Sequence, residues 1–332
     1  MTNSKKKYFN DDEYYKKNGI KLIRTNYDSK LLFFLRKIIK DYRIDIIQAH
    51  NFKTAIIASL IVKPKTKIIF EIYSWREVTL LKTILRDFLL RKFVFKRVNR
   101  VFTLSINLKH YLIRNYNYPV EKIFFMPNGY LSREKEFEFR KSINKQYFTF
   151  GYVGNYADCK EINNIMAIIP SVYKRYSDIR FIMIGNGKSF NRLYNFIIKN
   201  GFQDRVIIIG LVSKKKLIEF YNEIDVILIP RPKTIETENS IPLKIFDAIG
   251  YGKPIIMSDV SGLTEVLGKE EALVYKNERI YELQEKISQI YKNYYYMNKI
   301  AQKAHEKILK WPTWKNISEK QEIIYDFVMK EL

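Results

Sequence analysis

The stretch "IPLKIFDAIGYGKPIIMSD", Ile241 to Asp259, joins an apolar helical pattern to a glycine pair and then to a buried strand. Leu243, Phe246 and Ile249 recur at helical spacing, and Pro242 suits a first helical turn. Pro254 opens a run that is apolar on successive residues, as expected of a parallel strand covered on both faces. Lys244 and Asp247 share another helix face at i, i+3. They read either as a surface ion pair of about 0.3 kcal/mol or as part of a pocket.

The same alternation extends through the chain. Strands are expected at 20–26, 44–50, 66–73, 100–105 and 122–128, then at 148–155, 179–187, 205–210, 225–230, 254–259 and 272–276, with helical patterns between them. This is an α/β protein of two doubly wound, Rossmann-like domains. The charged segment 131–147, "LSREKEFEFRKSINKQY", has few aliphatic residues and reads as the linker. The expected boundaries are 1–140, 147–308 and a C-terminal helix over 309–332 that packs back toward the first domain.

With 332 residues and 47% hydrophobic content, the chain can bury two cores. One cysteine, Cys159, excludes an internal disulfide framework. The N-terminus lacks a signal-peptide core, and no apolar run is long enough to span a bilayer, so a cytoplasmic protein is expected. The net charge of +24 is uneven, because residues 1–150 hold 32 Lys+Arg against 13 Asp+Glu. Such a half attracts polyanions. The segments "LLFFLRKIIKDYR" and "ILRDFLLRKFVFKR" mix apolar and basic residues. They read as membrane-facing surfaces or as sheet-packing helices with basic outer faces. No nucleic-acid module is recognisable, so no nucleic-acid partner is expected.

"IGNGKSF" (184–190) fails the spacing of a P-loop, since Ile182 stands where the first glycine belongs, and reads as a strand-to-helix turn. "FGYVGNYADCKEINNI" (150–165) places Gly151 and Gly154 where a phosphate can approach a helix N-terminus, with Lys160 as a cation; a tight turn and a solvated lysine explain it equally well. Tyr152-Val153 breaks a dinucleotide fingerprint. His50, His110 and His305 stand far apart, so no zinc site is expected. His50 ends a strand at the carboxyl edge, where open α/β sheets bind ligands. Arg231 ends another, ahead of the helix that carries Lys244 and Asp247. Helix dipole and lysine suit a diphosphate, and a carboxylate can accept from two ribose hydroxyls.

"PLKIFDAIGYGKPIIMSDVSGLTEVL" resembles the donor-binding signature of retaining glycosyltransferases of family four, which have the GT-B fold. "DIIQAHNF", "RVFTLSINLKHYLIRNYNYPVEKIFFMPNGY", "YVGNYADCKEINNIM" and "WPTWKNI" resemble further family segments in the expected order. The resemblance implies two domains facing across a cleft and a UDP- or GDP-sugar donor held mainly by the second. It implies a glycan or lipid-linked acceptor in cell-surface polysaccharide synthesis and no metal or other cofactor, and the basic first half then has a reason, resting on an anionic membrane surface as a peripheral protein of the inner face. On the family pattern the donor side comprises Gly154, Asn155, Lys160, Gly210, Leu211, Arg231, Asn239, Pro242, Leu243, Lys244 and Asp247. The acceptor side comprises His50, Tyr73 and Asn128. The chain departs from the pattern at Asn239 and Asp247, where a glutamate pair is usual, and at Asn155 and Tyr73. Its first expected strand resembles the family's third, so the N-terminal domain reads as incomplete, and an inactive or truncated GT-B remnant or binding protein is the alternative.

Overall fold

The computed structural model describes residues 15–23, 30–62, 65–75, 79–130, 146–156, 160–291 and 293–331, with only the backbone at Lys160 and Tyr294. The linker expected at 131–147 therefore lies almost wholly outside the described residues.

Two parallel sheets form. The first has the order β1 (Ile46–His50), β2 (Lys67–Ile72), β3 (Arg100–Thr103), β4 (Ile123–Phe125). The second contains β5 (Phe148–Val153), β6 (Ile179–Ile184), β7 (Val206–Ile209), β8 (Val226–Ile229), β9 (Ile255–Ser258) and β10 (Leu273–Tyr275). Its order is β10-β9-β8-β5-β6-β7, the doubly wound arrangement that reverses direction between β5 and β8. The expected strand over 20–26 is a correction. Residues 20–23 are not in a strand, and 24–26 lie outside the described residues. Gly19, at φ +71, turns the chain, Ile20 N–H donates back to Tyr15 O (2.9 Å), and Ile20, Leu22 and Ile23 stay 50, 42 and 38% exposed with no strand paired to them among the described residues.

The expected layering follows from alternation along each strand. In β8, Val226 and Leu228 pack into one apolar cluster while Ile227 and Ile229 pack into the other. Helices α5 (Lys160–Arg175) and α6 (Phe190–Lys199) cover the first side; α7 (Lys214–Glu223) and α9 (Leu243–Gly250), which follows the short α8 (Ile235–Glu238), cover the second. The first sheet carries α1 (Leu31–Asp41), α2 (Phe52–Ile61), α3 (Leu80–Leu89) and α4 (Ile106–Tyr116). α3 runs on through a π turn (Leu90–Val94) and a last turn (Phe95–Arg97). On its other face Ile69 and Phe102 meet Ile317, Ile324 and Val328 of the C-terminal helix Trp314–Lys330.

The opening stretch resolves into a capped helix. Pro242 is the N-cap of α9, one position before the expected first turn, with extended backbone. At the other end Gly252 adopts φ +62, its N–H donates to Ile249 O (2.8 Å), and Lys253 N–H donates to Ala248 O (3.0 Å). That pair is a Schellman cap, and it needs a residue without a Cβ at Gly252. Lys253, 4% exposed, then donates through Nζ to Ile224 O (2.8 Å) below the sheet before Pro254 leads into β9.

Candidate donor and acceptor sites

The reversal between β5 and β8 opens a crevice at their carboxyl ends, and four side chains meet there. Arg231 follows β8, Lys244 stands in the first turn of α9, Glu161 in the first turn of α5, and Tyr152 near the end of β5. Lys244 Nζ donates to Glu161 Oε2, and Arg231 Nε lies 3.6 Å from Glu161 Oε1. Tyr152 donates to the same carboxylate (2.8 Å), and the Lys244 ammonium sits 4.4 Å above the Tyr152 ring. Side-chain exposures are 15% for Glu161 and Lys244 and 11% for Arg231. Burial alone would push the Glu161 carboxyl up, but Lys244 and Arg231 outweigh it and hold the group below its ordinary value. Burial pulls the Arg231 guanidinium down, and Glu161 opposes that. Two cations share that acid beside the N-terminus of α9, and Glu236 and Glu238 add their attraction to Arg231.

Lys244 therefore pairs with Glu161. Its partner is thus the acid of α5 and not Asp247 on its own helix. Asp247 is exposed one turn further along the helix. Gly154 belongs to the cluster: a Cβ built there would meet Lys244 Nζ at 3.1 Å. Asn155 is exposed, and its carbonyl accepts from Tyr152 OH (3.3 Å). Lys160 opens α5. Leu243 is 55% exposed beside Pro242. Gly210 and Leu211 follow β7, two strands away from β5, and Leu211 is 82% exposed. Asn239, 3% exposed, is drawn aside: its Nδ2 donates to Ile235 O (2.7 Å) and its Oδ1 accepts from Asn107 of α4 (3.3 Å).

That contact belongs to a seam between the two sheets' domains. Ser105 donates to Asn239 O (2.9 Å), Asn107 to Glu238 O (2.8 Å), and the Glu265 carboxylate accepts from the N–H groups of Ile106 (2.9 Å) and Asn107 (2.8 Å). Burial raises the Glu265 carboxyl above its ordinary value, against the pull of those two N–H groups. A cavity of about 410 Å³ opens here, lined from one side by Tyr111 and Arg114 and from the other by Lys233 and Glu238.

The first domain holds a second cavity of about 680 Å³ at the carboxyl ends of β1 and β2, lined by Asn51, Lys53, Tyr73, Trp75 and Arg86 among others. Beside it, the His50 and Tyr73 rings stack with centroids 5.6 Å apart, and His50 Nδ1 lies 2.9 Å from Glu71 Oε2. The hydrogen bond to Glu71 raises the imidazole above 6.5 despite partial burial. Burial, then Glu71, pushes the Tyr73 phenol up to about 12. Asn128 lies apart from this pair, its carbonyl accepting from Trp311 Nε1 (2.9 Å) where the C-terminal segment crosses back.

Sequence reading missed Glu161 and Glu71. An acid in a first helical turn is ordinary, so Glu161 carries no signal, whereas Glu71 does, as a lone acid after the apolar run "IIF" in "KIIFEI".

A family model described as "Glycosyl transferases group 1" matches residues 133–307, and one described as "Glycosyltransferase Family 4" matches 11–130. The chain is a family 4 member with the GT-B fold. An uncharacterised glycosyltransferase of Methanocaldococcus jannaschii is 22% identical over 70% of this chain and 60% of its own length. The phosphatidylinositol N-acetylglucosaminyltransferase gpi3 subunit of Schizosaccharomyces pombe is 22% identical over 73% of this chain. The chain spans only 52% of that relative's length. Among solved structures, a Rickettsia africae glycosyltransferase superposes with a TM-score of 0.76 at 16% identity, covering 96% of this chain and 88% of that one. Anabaena Alr3699/HepE in complex with UDP-glucose superposes with a TM-score of 0.74 at 14% identity, covering 95% and 88%. No helix among the described residues is long and apolar enough to cross a membrane.

Proposed function

We propose that this family 4 chain moves a sugar from a UDP- or GDP-sugar to a glycan or lipid-linked acceptor in cell-surface polysaccharide synthesis, with retention of configuration. It would do so on the inner face of the membrane. The observation that carries this reading is the Lys244–Arg231–Glu161 cluster at the β5/β8 reversal, an anion site with two cations and a helix N-terminus. The departing nucleoside diphosphate gains charge as the glycosidic bond breaks, and fixed cations there stabilise it without a metal. Asp247, on the same helix, would accept from the donor ribose. The His50–Glu71–Tyr73 group and its neighbouring cavity would face the acceptor. Solved relatives support a nucleotide donor, since the Anabaena protein was captured with UDP-glucose. A lipid acceptor is supported by the yeast relative, whose name specifies phosphatidylinositol.

Calorimetric titration of UDP, GDP and ADP into the full chain tests the donor site. Micromolar binding of one nucleotide, lost in Lys244→Ala and weakened in Asp247→Ala, is expected. If the folded chain binds none of them, the donor reading fails. A second reading, a binding protein without turnover, draws on Asn239, which the seam holds where the family carries a glutamate. It predicts nucleotide binding with no release of nucleoside diphosphate from any UDP- or GDP-sugar.

A further inference from the structure

Helix α3 (Leu80–Leu89) is built inside out. Arg86 and Asp87 face the protein: Asp87 accepts from Tyr116 OH (2.6 Å), and the Arg86 guanidinium lies 4.8 Å over the Trp75 ring, while Lys82 is exposed. Its apolar positions face outward, with Leu80, Leu81, Ile84, Leu85 and Phe88 exposed at 78, 77, 58, 57 and 52%. No residue of this helix is buried, whereas the comparably amphipathic α6 buries Leu193 and Ile197 against its sheet. Phe93 prolongs the stripe, edge-on to Phe88 at 6.4 Å between ring centroids. A water-facing stripe of this composition needs a cover.

We propose that the cover is an anionic bilayer, with the α3 stripe set into the boundary between headgroups and acyl chains. Charge complementarity selects this occupant. Lys82, Arg91, Lys92, Lys96 and Arg97 are exposed along residues 80–97, while Arg86 and the one acid, Asp87, turn inward, and the first 150 residues hold 32 basic against 13 acidic groups. Apolar residues flanked by cations match a surface that is apolar within and negative without. The docking stands on the helix alone. Its link to catalysis rests on the glycosyltransferase reading above: Arg86 and Leu90 line the cavity beside His50 and Tyr73, so an acceptor carried in the bilayer would enter that cavity from the docked side.

The test is co-sedimentation of the full chain with vesicles of equal parts phosphatidylcholine and phosphatidylglycerol, against vesicles of phosphatidylcholine alone. Binding to the anionic vesicles is expected to be at least about tenfold tighter and to weaken with added salt. The double variant Leu81→Glu/Ile84→Glu, altered only at exposed positions, should lose at least about tenfold in affinity while its circular dichroism and melting temperature stay those of the parent. Three results overturn the proposal. One is a folded parent chain that ignores anionic vesicles; another is a double variant that binds them as well as the parent. The third is a parent dimer, seen by sedimentation equilibrium, that the double variant dissociates, which would make a second copy the cover. UDP titration of the same preparations separates the two readings: vesicle binding without nucleotide binding keeps the docking and removes the donor site.

Discussion

Removing Glu161 isolates the central electrostatic feature of the second domain. In Glu161→Ala the Lys244 ammonium and the Arg231 guanidinium, 15 and 11% exposed, lose the carboxylate between them. Breaking a buried pair from one side costs about 3–5 kcal/mol, because a charge stays desolvated without compensation. Other partners remain here: Arg231 donates to Ser240 O (2.7 Å) and Oγ (3.2 Å), and Lys244 keeps the Tyr152 ring. The lower limit, about 3 kcal/mol, is therefore expected at neutral pH. With a urea m-value of about 3 kcal/mol/M, the unfolding midpoint should fall by about 1 M at unchanged slope. The pH dependence follows from the sign of the shift. The folded-state pKa of Glu161 lies below 4.5, so its stabilisation is present above 4.5 and lost as pH falls through the depressed value. The gap between parent and variant should stay constant from neutrality down to about pH 5 and narrow below about pH 4. A neutral-pH loss under about 1 kcal/mol would place the cluster among solvated surface pairs and refute the reasoning.

Gly185→Ala should cost more than 3 kcal/mol, or abolish folding, because φ is +144 and the new Cβ would lie 1.8 Å from Gly154 O; a melting temperature within a degree or two of the parent's would contradict that geometry. His50 should titrate above 6.5 by NMR, and in Glu71→Gln its midpoint should fall to 6.5 or below, since the raising partner goes while the lowering burial stays. Stability drawn from the His50–Glu71 pair is then complete below pH 6.5 and lost as pH rises through the raised folded value, so a midpoint indifferent to Glu71 would dissolve the pair.

The fold was legible because parallel strands buried on both faces leave continuous apolar runs, and ten of the eleven expected strands form with helices between them. The exception, 20–26, of which residues 20–23 are described and not in a strand, shows the limit of that signal. "IKLIRTN" has strand composition, but a strand also needs a neighbour, and a lone sequence does not say whether one is in reach. The site was half legible for a related reason. Gly154, Arg231 and Lys244 sit at strand ends and helix starts, which local pattern locates. Glu161 matters only because the β5/β8 reversal brings α5 and α9 together across 83 residues of chain. The stripe of α3 is visible as amphipathicity, but which side meets the protein is decided by Trp75 and Tyr116, which receive Arg86 and Asp87 and lie outside that helix.

The seam adds a coupling that neither domain shows alone. Arg231 is supported by the carbonyl and hydroxyl of Ser240, and the preceding residues Glu238 and Asn239 are gripped by Ser105 and Asn107 of the first domain. Residues 238–240 thus both support the Arg231 guanidinium and make the contact with α4. Glu265 reinforces the grip by taking the first N–H groups of that helix, which have no intrahelical acceptor of their own. Any rotation of one domain against the other must break these bonds or drag residues 238–240, and with them the support of Arg231. The support of Arg231 in the Lys244–Arg231–Glu161 cluster and the contact between the domains therefore share the same few hydrogen bonds.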